Sequence, residues 1–499
     1  MKKFKFIILI VLILAFFSCD NTYFGKKEAE SDINSKKENT ETTVVNSTET
    51  EKLEDKKITV IAVGDIMLGS NYPSRTLLPK NDYNVLTDTE KILQDADLTV
   101  GNLEGTLFDE GGTPKSCSDV SVCYVFRTPS KYGKYLKDAG FDYLSIANNH
   151  SNDFGDEGIN KTMKNLDELG IKYTGIKKLA ETAIIEKDNL KYGFVSFAPL
   201  SKTVDLNDYE YATELIKSLK SSTDIVIVMF HGGAEGNGKE HITRKTEMFF
   251  GENRGNVFKF ARMAVDAGAD IIFGQGPHVT RGIELYKNRF ISYSAGNFAT
   301  YGKFNLKGKS GIAPIFKITI DSKGNFIEGE IIPVKQTKGT FGPFVDENRT
   351  AIKEIISLNK SDFPEGNGLS VSEDGKIVSR GHNNKENKNN PMGHAEIIAI
   401  KKYCKKHNTW RLNDITMYVT LEPCLMCSSI LQQVRIGKVV ISASDPKTGA
   451  MGSIIDINEI KSNHKINIEK GILLEESEKM LKTFFKKLRD EKKRKKEDN

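Results

Sequence analysis

His394-Ala395-Glu396 and, beyond a strand-like segment, Pro423-Cys424-Leu425-Met426-Cys427 are the stretch from which the rest of the chain is read. One imidazole and two thiolates offer three soft or borderline donors to a tetrahedral Zn²⁺ and leave a fourth position for water. That composition is catalytic rather than closed and structural. His394 opens an apolar-periodic run (Ala395, Ile397, Ile398, Ala399, Ile400), which predicts the first turn of a helix with Glu396 beside the metal. Pro423 suits a helix start, and Cys424 and Cys427, three apart, then share one face. Free amides at such a helix end favour thiolate over thiol. With three other groups holding the ion, Glu396 is free to carry protons. The plainer alternative is a structural zinc, or a chance His and C-x-x-C on core helices.

The flanking residues narrow this further. Arg380-Gly381-His382-Asn383, Tyr418-Val419-Thr420-Leu421-Glu422-Pro423-Cys424 and Asp445-Pro446-Lys447-Thr448-Gly449-Ala450-Met451-Gly452-Ser453 surround the core pattern. Together they resemble the bacterial tRNA-specific adenosine deaminases over residues 368–487. The resemblance implies a three-layer α/β/α cytidine-deaminase-like domain. It makes His394, Cys424 and Cys427 the ligands of one Zn²⁺ and Glu396 the proton donor and acceptor. It makes Asn383 a base contact and Asp445 part of a loop facing nucleic acid. Read without the resemblance, Asn383 is a turn residue and Asp445 a helix cap. The implied reaction is hydrolytic deamination of adenosine to inosine at the wobble position of a tRNA anticodon loop, by a homodimer. Cytidine or guanine deamination is the narrower rival.

The chain has 499 residues, too many for one ordinary domain, and 38% of them are hydrophobic, enough for real cores. A net charge of +5 is small for this length and does not by itself argue for a nucleic-acid binder. Residues 1–19 run from Lys2, Lys3 and Lys5 through an apolar stretch to Phe16-Phe17-Ser18-Cys19, the pattern of a secretory signal. That ending resembles a bacterial lipobox, with Phe17 where a small residue is usual. Processing there would make Cys19 a lipidated, membrane-anchored N-terminus; an uncleaved anchor helix is the alternative. Residues 20–57 carry hardly an apolar side chain and read as a flexible tether.

From residue 58 short apolar runs alternate with helical patterns, which implies an α/β core with functional groups at strand ends. Those ends bring forward Asp65, Glu104, Asn149, His150, His231 and His278, a set suited to one or two divalent metals. For any single histidine among them, a satisfied structural imidazole is the plainer reading. The motifs (Gly64-Asp65, Gly101-Asn102-Leu103-Glu104, Ala147-Asn148-Asn149-His150, His231-Gly232-Gly233, Gly276-Pro277-His278) resemble the CapA family of poly-γ-glutamate capsule proteins over residues 58–345. That family is similar to the calcineurin-like metallophosphoesterases, so the resemblance implies a metallophosphoesterase-like α/β sandwich, a divalent metal, and poly-γ-glutamate or another envelope polymer as partner. Asp65 lacks the Asp-x-His spacing of the phosphoesterases.

Cys117 and Cys123 could pair if the domain is exported. Residues 346–367 read as a junction helix and linker, and Asp374-Gly375 as a hairpin turn within the deaminase. Residues 488–499 read as a basic tail, suited to phosphate contact or simply solvated. The signal faces the chain outward whereas tRNA is cytoplasmic. Both a working bifunctional chain and an exported capsule protein with a silent or artefactually joined deaminase fit the sequence.

Overall fold

The computed structural model describes residues 56–497 except 117–122, 339–341, 365, 380–382, 384, 386–388, 408 and 414. It divides into two compact units, one ending at Ser379 and the other beginning at Arg380. Residues 1–55, including Cys19 and most of the expected tether, lie outside the described part.

The first unit is built on two mixed sheets. In the larger, the parallel strands Lys57–Met67, Leu98–Leu103, Tyr143–Ser145 and Lys172–Thr174 lie side by side, and the antiparallel pair Ile312–Asp321 and Phe326–Lys335 extends the other edge. The smaller sheet holds Leu190–Phe197, Ile225–His231, Ile271–Gln275 and Arg289–Ser292 in parallel. Strand Ile225–His231 is buried along its whole length, which is why it reads as an unbroken apolar run. The two-residue pleat then sorts its side chains. Ile225, Ile227 and Met229 meet Ile58, Val60 and Ala62 of the other sheet, while Val226, Val228 and Phe230 meet helices Tyr209–Ser222 and Val257–Ala267. Ile61 and Val63 point the opposite way, into the layer that holds Ile159 and Leu166 of helix Gly155–Leu169. The result is the expected sandwich, with two sheets face to face and helices outside. Each fully buried Ile or Phe contributes about 1.5–3 kcal/mol.

One close approach ties the sheet to the site. A Cβ on Gly64 would lie 1.9 Å from the carbonyl oxygen of Gly296, and Asp65 N–H donates to that same oxygen at 2.9 Å. Only glycine lets this strand end come so near.

The boundary between units differs from the one expected. Helix Thr350–Asp362 buries Ala351, Ile352, Ile355 and Leu358 in the first unit, with Ile352 and Ile355 in the layer between the sheets. The hairpin Leu369–Val371 and Lys376–Ser379, expected to open the deaminase, pairs instead with strand Phe326–Lys335 through Gly329 with Ile377 and Glu330 with Lys376. Leu369 is buried in the same inter-sheet core. The long antiparallel strand offered an unpaired edge, and a hairpin fulfils the hydrogen bonds of such an edge. Residues 346–379 therefore finish the first unit.

In the second unit three parallel strands, Thr416–Leu421, Lys438–Ala443 and Asn467–Lys470, lie in sequence order. Val439 and Ile441 face the core formed with Ile397 and Ile400 of helix Ala395–His407 and Ile430 and Leu431 of helix Leu425–Gln433. On the opposite face Ser442 hydrogen-bonds Ser477 of helix Leu474–Glu497 at 2.6 Å. Helices thus cover both faces, the expected three-layer α/β/α arrangement. The stretch expected as a basic tail continues this last helix as far as Glu497.

Candidate active site and metal centre

Two helix N-termini build the C-terminal site. Ile398 N–H donates to His394 O at 3.0 Å, so His394 is the residue at which helix Ala395–His407 begins, and Glu396 sits in its first turn. Cys424 occupies the same position on helix Leu425–Gln433, with Ser428 N–H donating to its carbonyl at 2.8 Å, and Cys427 lies buried in the first turn. The ligand atoms of His394, Cys424 and Cys427 all lie within 4.8 Å of one another. Cys424 Sγ is 3.7 Å from His394 Nδ1. Both cysteines are free thiols.

Charge in this cluster is poised for a cation. Hydrogen bonding from Cys427 outweighs burial and brings the Cys424 thiol down to about 5, so one thiolate is present before any metal arrives. Sharing that proton, together with burial, pushes Cys427 up. Burial pushes the Glu396 carboxyl above its ordinary range, and the negative charge at Cys424 adds to this. A carboxyl so raised holds a proton more readily than an exposed one, which suits it to proton transfer.

Asn383 is exposed, and its Oδ1 accepts from Lys385 N–H at 3.0 Å, a turn contact. Asp445 Oδ1 accepts from Lys447 N–H at 2.9 Å and Thr448 N–H at 3.2 Å, and its Oδ2 from Thr448 Oγ1 at 2.6 Å. Neither belongs to the three-residue ligand group.

Sequence reasoning passed over Glu422. It is buried, and its carboxylate collects the 445–453 loop: Oε1 accepts from Met451 N–H at 2.8 Å and Ser453 N–H at 3.1 Å. Oε2 accepts from Asp445 N–H at 3.2 Å and from the Ser453 hydroxyl. These bonds outweigh burial and hold its carboxyl below the usual range. A Cβ on Gly449 would lie 2.6 Å from the Glu422 carboxyl carbon, so this glycine lets the loop close over it. A charged residue directly before Pro423-Cys424 was the available signal.

In the first unit three of the six candidates converge. Ligand atoms of Asp65, Glu104 and His278 lie within 4.8 Å of one another. His278 Nδ1 is 2.9 Å from Asp65 Oδ2 and 3.1 Å from Asn297 Oδ1; its Nε2 is 3.4 Å from Glu104 Oε1. Burial pushes the Glu104 carboxyl up, and neither of its oxygens has a hydrogen-bond partner. Against burial, Glu104 and Asp65 hold the His278 imidazolium up to about 10. His150 and His231 fall outside the group. His150 Nδ1 is 2.8 Å from Asp153 Oδ2, and Asp153 also pairs with Lys115 at 2.5 Å, a satisfied structural imidazole. Asn149 Oδ1 is buried without a partner. His231 Nε2 faces Arg254 Nη2 at 3.2 Å. Arg254 and Glu235, which enter this site, carry no local sequence signal beyond Glu235 following Gly232-Gly233.

Cys123 is disulfide-bonded; Cys117, its expected partner, lies outside the described residues.

Residues 59–301 match the bacterial capsule synthesis protein PGA_cap family, and residues 357–489 the MafB19-like deaminase family. Over 147 residues the chain is 40% identical to the tRNA-specific adenosine deaminase of Bacillus subtilis (strain 168), covering 29% of this chain and 90% of that protein. The chain belongs to the tRNA-specific adenosine deaminase family through its C-terminal part. It is a fusion of that deaminase with a PGA_cap domain. The tRNA-specific adenosine deaminase of Aquifex aeolicus (strain VF5) is 44% identical over 143 residues, 28% of this chain and 94% of that protein. A solved chain from work on A-to-I editing by tRNA:A34 deaminases is 28% identical, with 26% of this chain and 98% of that one covered and a TM-score of 0.21. The deaminase match begins upstream of the hairpin Leu369–Ser379, which here pairs in the PGA_cap sheet.

Proposed function

We propose that the C-terminal unit deaminates adenosine to inosine at the wobble position of tRNA with one zinc ion. The observation that carries the reading is the convergence of His394, Cys424 and Cys427 within 4.8 Å, with a raised carboxyl on Glu396 two residues from the histidine. The donor set fits zinc: one imidazole, a thiolate already favoured at Cys424, and a second thiol whose proton the metal would displace. Zinc bound there would supply the Lewis acidity that lets water attack carbon near neutral pH. Glu396 accepts a proton from the attacking water and delivers it to the purine ring nitrogen as the C6–O bond forms; it then takes the proton of the new C6 hydroxyl and passes it to the amine as the C6–N bond breaks, so that ammonia leaves and the C6 carbonyl remains. The 445–453 loop, held by Glu422, and Asn383 contribute to gripping the nucleotide. An anticodon-loop base is already unpaired, so little energy is spent in extruding it. Exposed Ile454, Ile455 and Leu425 support assembly as a homodimer. The test is inosine formation on an anticodon stem-loop RNA by the purified full chain. Wild-type protein should convert A34 and Glu396→Ala should not; zinc-loaded wild type that leaves A34 unchanged refutes the reading.

A second reading is favoured by the disulfide at Cys123, a bond of oxidising compartments. In it the chain is an exported lipoprotein anchored through Cys19, the PGA_cap domain acts on an envelope polymer with a divalent metal, and the deaminase is silent. Cell fractionation with a labelled fatty acid separates the two: label on the chain and protection from cytoplasmic protease probes favour export, and unlabelled cytoplasmic protein rules it out.

A further inference from the structure

The sequence leaves open whether the first unit takes one divalent cation or two, and the geometry answers this through a residue that no motif marks. We propose that Asp65, Glu104 and His278 hold a single divalent cation and that the guanidinium of Arg254 occupies the place of a second.

The first half rests on Glu104. Its side chain is fully buried, yet both carboxylate oxygens lack a hydrogen-bond partner. Its nearest charged partner is His278, with Nε2 3.4 Å from Oε1, which leaves the carboxylate's lone pairs open to a cation. The ligand atoms of Asp65 and His278 stand within 4.8 Å of it. Two carboxylate oxygens and one imidazole make a hard to borderline donor set, suited to Mn²⁺ and similar ions rather than to thiolate-seeking ones.

The second half rests on His231. Its ring centroid is 6.3 Å from that of His278, and paired catalytic metals stand roughly 3.5–4 Å apart, so His231 lies where a neighbouring ion could reach it. His231 Nδ1 is buried without a hydrogen-bond partner, and an ion held on the other ring nitrogen would need the lone pair on Nε2. That nitrogen instead faces Arg254 Nη2 at 3.2 Å. A guanidinium in a protein does not give up its charge, so Nε2 can only accept, and its lone pair is committed. Arg254 is not a drifting surface side chain. It is only 2% exposed, its N–H donates to Glu247 O and its carbonyl accepts from Gly233 N–H, both at 2.8 Å, and Nη2 pairs with Glu235 Oε1 at 2.6 Å. The charges agree. Asp65, Glu104 and Glu235 are balanced by one guanidinium and one divalent ion that takes the place of the His278 proton, and another divalent ion would leave the pocket with unbalanced positive charge.

The test uses the full chain with manganese as the probe, read by elemental analysis and by electron paramagnetic resonance, in which zinc is silent. The wild type should bind one Mn²⁺ per chain with the spectrum of an isolated ion. Glu104→Gln should lose it, and Cys427→Ser should keep it. Arg254→Met should take up a second ion, exchange-coupled to the first. A coupled pair in the wild type, no manganese in the wild type, or loss of the ion in Cys427→Ser overturns the proposal, as does a folded Arg254→Met chain that still holds one ion. Should Arg254→Met fail to fold, the wild-type count and spectrum decide alone.

Discussion

Glu422→Gln tests how the loop beside the C-terminal metal site is held. In the folded chain the carboxylate accepts three backbone N–H bonds, from Met451, Ser453 and Asp445, and one from the Ser453 hydroxyl. An amide keeps one oxygen and turns an NH₂ group toward the other pair of partners. Its least costly orientation places NH₂ on the Oε2 side, where the Ser453 hydroxyl can rotate to accept but Asp445 N–H is left without an acceptor. Weakening the remaining charge-assisted bonds to neutral strength costs about 1 kcal/mol each, and an orphaned N–H about 1–3 kcal/mol, which sums to about 3–5 kcal/mol against the closed loop. Every 1.4 kcal/mol is tenfold in population, so kcat/KM on a stem-loop RNA should fall by at least about 100-fold. Bound zinc should be unchanged, since Cys424 and Cys427 lie beyond the substitution. The sign with pH follows from the depressed carboxyl. A group held below its unfolded pKa stabilises fully above that value and ceases to do so as pH falls through the folded one, so the Gln penalty should be complete at neutral pH and vanish in acid. Limited proteolysis of the 445–453 segment, thermal melts across pH and steady-state kinetics together make the assay. A Gln variant with wild-type protease resistance and wild-type kinetics at neutral pH would refute the reasoning.

Gly449→Ala should reproduce the same loss with the Glu422 carboxylate retained, because its Cβ would lie 2.6 Å from the Glu422 carboxyl carbon and force the loop away; protease sensitivity of the loop checks it. Glu396→Gln should retain zinc while slowing deamination about 10²–10⁴-fold, the range of a lost acid–base group, measured by single-turnover kinetics beside elemental analysis. Cys427→Ser should release zinc and also destabilise the second unit, because Cys427 is fully buried in its core; melting with and without added zinc reads both effects. Leu369→Ala should lower the stability of the first unit by about 2–5 kcal/mol and leave inosine formation intact; a loss confined to the deaminase would show that the hairpin serves the other sheet.

How much could be read in advance depended on the distance over which a feature is encoded. His394, Glu396, Cys424 and Cys427 were legible because their arrangement is local. Each pair sits at the start of one helix, where spacing alone fixes the side-chain directions; the first helix lies where the apolar periodicity put it and the second follows Pro423 as expected. The two α/β classes followed in the same way, since a strand buried on both faces must read as an unbroken apolar run. Strand-end placement brought six residues forward in the first unit, and of their carboxylates and imidazoles, among the described residues, Asp65, Glu104 and His278 meet. Choosing among them needs the order of strands in two different sheets, which no short window carries. Arg254 was invisible for the same reason, because its function comes from facing a histidine 23 positions away across a loop. The hairpin at 369–379 marks the limit most sharply. Its turn and strands were plain from Asp374-Gly375 and the flanking pattern, yet a hairpin's backbone donors and acceptors fit any open edge. The tertiary structure decided which sheet received it, with Leu369 buried in the same core as Ile331 and Ile352 and the hairpin paired to the open edge at Gly329 and Glu330.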